Sequence, residues 1–78
     1  MDTSTKTARI AANVRRAAAD RRISKVDLAK ATGIPYSTLK AHMAGRGQFT
    51  GTDILALCEA LEVDPAELLT VGQVEVAS

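Results

Sequence analysis

Few side chains in this 78-residue chain could carry out a reaction. Cys58 is its one thiol and His42 its one imidazole, and no nucleophile has a base at a recognisable spacing. No CxxC pair or His/Cys cluster offers zinc ligands, so neither catalysis nor a metal or cofactor is expected. Hydrogen-bonding capacity is what the sequence concentrates instead. Tyr36, Ser37, Thr38 and Lys40 bring three hydroxyls and an ammonium group together directly after Gly33-Ile34-Pro35. At the opening of a helix such groups can reach base edges in a DNA major groove, where the donor and acceptor pattern differs for every base pair.

Those residues need a helix to hold them and a second to brace it. From Ser24 to Gly45 the chain carries two short helix signatures separated only by Gly33-Ile34-Pro35. Ser24 with Asp27 three residues on makes a capping-box-like start, followed by the apolar Val26, Leu28, Ala29 and Ala31. Gly33 stops that helix, because the residue closing a helix commonly turns left-handed, which is costly with a Cβ. Ile34 can plug the core from the turn. Pro35 lacks an amide hydrogen and stands where the next helix begins, where that donor is not needed. By the 100° step per residue, Leu39 and Met43 face inward while Ser37, Lys40, Ala41 and Ala44 face the other way. The pattern is a helix-turn-helix with a polar reading edge.

The flanks supply a core. Residues 1–6 read as a disordered polar leader, and a first helix is expected from about Thr7 to Arg22. Ile10, Val14, Ala17 and Ala18 form its apolar stripe, with Arg9, Arg15, Arg16 and Arg22 off it. Arg46-Gly47-Gln48 is a loop anchored by Phe49. Thr50 or Thr52 caps a fourth helix containing Ile54, Leu55, Leu57, Cys58 and Leu61. Asp64-Pro65-Ala66-Glu67 opens a short fifth helix with Leu68 and Leu69. His42 is expected to be half-buried and Cys58 to be a small core residue. Residues 7–70 thus form one domain, and residues 71–78 a tail in which Val74 and Val76 suggest a short strand or disorder. With 46% hydrophobic residues but one Phe, one Tyr and no Trp, the core must come from Ala, Leu, Ile and Val. A compact all-α five-helix domain fits that supply. No apolar run approaches the roughly 18 residues of a membrane span, and the N-terminus lacks a signal-peptide core. A soluble, cytoplasmic protein is expected.

The net charge of +1 conceals a partition. All ten Lys and Arg lie in residues 1–47 against Asp2, Asp20 and Asp27, giving that half +7. Residues 48–78 hold Asp53, Glu59, Glu62, Asp64, Glu67 and Glu75 and no base, giving −6. A polyanion would dock on the first half and be repelled by the second. Lys25 adds a local hint: a cation in the first turn of a helix opposes the helix dipole, and a phosphate there would satisfy both.

The order Leu28-Ala29, Gly33, Ile34, a hydroxyl-rich third helix, Gly45, then Leu57 to Leu61 and Val63-Asp-Pro-Ala-Glu-Leu-Leu69 resembles the Cro/C1-type helix-turn-helix family of phage and bacterial regulators, over about Val14 to Leu69. The resemblance implies a lambda-repressor-like fold. It also implies base contacts by Tyr36, Ser37 and Ala41, and phosphate contacts by Lys25, Thr38, Lys40, Arg46 and Gln48. Two departures stand out. Ala18 and Met43 occupy places where relatives often carry an Arg–Glu ion pair, and an apolar contact can replace such a pair at little cost. Ala41 stands where many relatives put a long polar side chain. Its methyl can only pack, so base reading shifts onto Tyr36, Ser37 and Lys40.

A sequence-specific transcriptional repressor of Cro or C1 type is therefore expected, without chemistry of its own, occupying a double-stranded DNA operator. One domain covers only a half-site, so a homodimer on a pseudo-palindrome is expected. The alternative is an antitoxin or protein-docking module on the same fold, with the acidic half and valine-rich tail as its contact surface.

Overall fold

Stop and start signals divide the chain where glycine, proline and hydroxyl caps predict. The computed structural model describes residues 3–69, which run α1 (Thr3–Asp20), α2 (Lys25–Thr32), α3 (Tyr36–Met43), α4 (Gly51–Leu61) and α5 (Pro65–Leu69). The fold class is the all-α five-helix one expected, with α2 and α3 forming the helix-turn-helix. The expected tail at residues 71–78 lies outside the described residues.

The bounds of α1 differ from those expected. It begins at Thr3 rather than Thr7, so its backbone takes in most of the stretch read as a disordered leader. Ser and Thr are indifferent helix formers and gave no signal there. It ends at Asp20 rather than Arg22 because the chain reverses in a Schellman closure. Arg22 is left-handed at φ 56°, its N–H donates to the Ala19 carbonyl, and the Ile23 N–H donates to the Ala18 carbonyl at 3.0 Å. α4 closes in the same way, with Glu62 left-handed at φ 57° and the Val63 N–H on the Cys58 carbonyl. Its start is a complete capping box, Thr50 accepting from the Asp53 N–H and Asp53 from the Thr50 N–H, which selects Thr50 over Thr52.

The core is apolar throughout the described residues, built on Val14, Ala18, Leu28, Ala29, Ile34, Leu39, Met43, Leu57, Cys58, Leu61, Val63 and Leu68. Ile34 plugs it from the turn, and Phe49 packs against its edge. Ala11, three residues before Val14, is buried too, although the expected stripe does not include it. Three large apolar residues of these helices face solvent: Val26 is 49% exposed, Leu55 61% and Leu69 45%. In elements of five to eleven residues the apolar arc is too narrow to take every apolar position, and α5, for example, buries Leu68 and leaves Leu69 outside. α1 packs against α3, α4 and α5, while α2 packs against α3 and α4. An Asn13 amide donating to the Leu68 carbonyl at 2.9 Å ties the first helix to the last.

Candidate nucleic-acid interface

The turn that sets α3 against α2 is stitched by Thr32, a residue the sequence did not single out. Its hydroxyl donates to the Leu28 carbonyl at 2.8 Å and accepts from the Ile34 N–H at 3.2 Å. One hydroxyl thus satisfies the last turn of α2 and the first amide of the exit. Gly33 is left-handed at φ 80°, with its N–H on the Ala29 carbonyl. At the other end of α2, Ser24 caps the helix by accepting from the Asp27 N–H at 3.1 Å; the reciprocal half of a capping box is not among its contacts.

Pro35 stands at the N-cap of α3, one position before the first helical turn, and supplies no side-chain cap. The opening N–H groups of α3 are therefore without intrahelical acceptors, at the positive end of the helix dipole. Tyr36, Ser37 and Lys40 are exposed on this helix, Tyr36 to 45%, whereas Thr38 and Ala41 are half-buried. Around the helix axis Tyr36, Lys40, Ser37 and Ala41 fall within an arc of about 140°, opposite Leu39 and beside Met43. The Ser37 hydroxyl has no hydrogen bond among the described residues, so it is not spent on capping. Lys25 is exposed in the first turn of α2, and Arg46 and Gln48 are exposed in the loop after α3. All eight expected contact residues thus lie within the helix-turn-helix and the loop that follows it.

The far end of α3 is held by groups that the sequence gave no such role. Arg15 of α1 donates through its guanidinium to the Met43 carbonyl, one of the helix's last-turn acceptors. Ala18 and Met43, the positions lacking the ion pair, are both buried in the apolar core, while Arg15 meets the helix end by another route. His42 is half-buried as expected. Its ring meets Phe49 edge-on, with centroids 5.2 Å apart and planes at 88°, and its Nδ1 is buried without a partner among the described residues. An unpaired buried nitrogen costs about 1–3 kcal/mol, which the ring's packing must offset.

Cys58 is a buried core residue. Burial pushes its thiol up, and the carboxylates of Asp64 and Glu67 push in the same direction, disfavouring a reactive thiolate. No group of three potential metal ligands gathers among the described residues, and no helix there is long and apolar enough to cross a membrane.

A family model for the Cro/C1-type helix-turn-helix DNA-binding domain matches residues 13–72. The chain belongs to this family. The Cro/C1-type domain is also similar in fold to a solved structure, the restriction-modification controller protein C.AhdI from Aeromonas hydrophila. The match has a TM-score of 0.76 at 24% identity and covers 80% of this chain and 94% of that one. No match is found among curated proteins. Membership of the family makes double-stranded DNA the ligand of the helix-turn-helix.

Proposed function

We propose that this Cro/C1-type domain is a sequence-specific transcriptional regulator, a repressor that occupies an operator and excludes polymerase. α3 lies in the major groove, where Tyr36, Ser37 and Lys40 hydrogen-bond to base edges and Ala41 packs against them. Lys25, Thr38, Arg46 and Gln48 meet phosphates on either side. The observation that carries this reading is the exposed polar arc of α3, with its uncapped first turn, braced by the Thr32 stitch and the Gly33 turn. A half-site reader gains useful specificity by pairing, so two copies bind a pseudo-palindromic operator. Leu55 and Leu69, exposed on the acidic second half, are apolar surface for such a protein contact. The same surface would serve a partner protein if the chain were an antitoxin or docking module. Residues 7–70 form the DNA-binding unit, acting in the cytoplasm of a bacterium or of a phage-infected host.

Selection from random duplex DNA tests the reading, and a palindromic consensus is the expected result. On that consensus, Ser37→Ala and Tyr36→Ala should each cost about 1–3 kcal/mol while changing random-DNA binding little, because a base contact counts only where its base is present. Lys25→Ala should weaken both alike. No enrichment would favour the protein-docking alternative. Equal loss on both DNAs for Ser37→Ala and Tyr36→Ala would show that α3 does not read bases.

A further inference from the structure

The loop after α3 is folded against an imidazole, and we infer that His42 is a positioning residue for the phosphate contact of Arg46, fixing the loop through the shape of its ring. The inference rests on the DNA-binding reading above and adds to it the device that aims one of its anchors. Arg46 stands between two left-handed glycines, Gly45 at φ 90° and Gly47 at φ 85°. The first of these turns is held by hydrogen bonds: the Gly45 N–H donates to the His42 carbonyl at 3.0 Å, and the Arg46 N–H to the Ala41 carbonyl at 2.9 Å. The second has no such support, since the N–H groups of Gly47 and Gln48 make no hydrogen bond among the described residues.

What Gly47 rests on is the His42 ring. A Cβ built at Gly47 would lie 2.8 Å from both Cδ2 and Nε2 of His42, whereas one built at Gly45 would meet nothing. Gly47 is therefore constrained twice, by its backbone angle and by the imidazole edge beneath it. The ring itself is boxed by Phe49, the residue that ends the loop. Its buried Nδ1 holds no hydrogen bond among the described residues, so the ring acts here through the Cδ2–Nε2 edge that Gly47 meets. Without that edge the second half of the loop has nothing to fold on, and Arg46 loses its direction toward the duplex.

The test is the salt dependence of binding to random duplex DNA, whose log-log slope steepens by about 0.9 for each phosphate that the protein neutralises. Arg46→Ala should make the slope shallower by about that amount. His42→Ala should do the same, and the double variant should lose no more than either single one. His42→Leu keeps apolar volume and removes the unpaired nitrogen, so it should melt no lower than the wild type yet show the same shallower slope. A role in stability alone would not produce that combination, and His42→Leu carries the test if His42→Ala is not folded at the assay temperature. An unchanged slope in folded His42 variants, or losses that add in the double variant, would overturn the positioning role and leave the DNA-binding reading intact. A wild-type chain that binds random duplex with no salt dependence would overturn that reading itself.

Discussion

Arg15 lies off the apolar stripe of α1, where an arginine would be taken for surface decoration, yet its guanidinium satisfies a carbonyl at the end of the DNA-reading helix. A charged donor on a last-turn carbonyl complements both the orphan acceptor and the negative end of the helix. Arg15→Ala should therefore destabilise the domain by about 1 kcal/mol, lowering the melting temperature by about 4–8 °C. Circular dichroism would show it, and an unchanged melt would mean that water serves the Met43 carbonyl equally well. Nothing in the sequence announces this contact, because its acceptor is a backbone oxygen present at every residue. The hydroxyl of Thr32 is hidden for the same reason. By contrast Tyr36, Ser37, Lys40 and Arg46 were legible as a surface, since polar groups clustered beside a turn have few other uses.

At the scale of elements, legibility follows from punctuation. Gly33, Ser24 and Asp64-Pro65 each carry a backbone preference that acts within a few residues, so the end of α2 and the starts of α2 and α5 can be read directly, whereas the start of α4 is legible only to within Thr50 or Thr52. The start of α1 is not legible, because Thr3-Ser4-Thr5 neither stops nor favours a helix. The orientation of Val26, Leu55 and Leu69 is decided by tertiary packing, which periodicity does not encode. Gly33 offers the sharpest test of the punctuation. A Cβ there would meet open space, so the cost of Gly33→Val comes from the left-handed backbone alone, about 1–2 kcal/mol. The melting temperature should fall accordingly, and binding should fall with it because the turn sets the angle of α3. An unaltered melt would show that the turn tolerates a side chain at φ 80°.

Across the whole molecule, the basic residues and the helix-turn-helix lie in one half of the sequence, while α4 and α5 carry acids only. Affinity for DNA should fall steeply with ionic strength, by about 0.9 in log-log slope per phosphate contacted. Glu59→Gln should leave that slope nearly unchanged, because α4 is expected to face away from the duplex. A marked change on neutralising Glu59 would place α4 near the phosphates and reverse the assumed orientation. The tie between Asn13 and Leu68 has a different consequence, one that concerns order in time. α1 is translated first, but the partners that cover its stripe are in α3, α4 and α5, so the segment made earliest must wait for the one made last. Small domains fold as units. A chain ending at Asp64 should therefore lack a cooperative melt, and a nascent chain should stay protease-sensitive until Leu68 has left the ribosome.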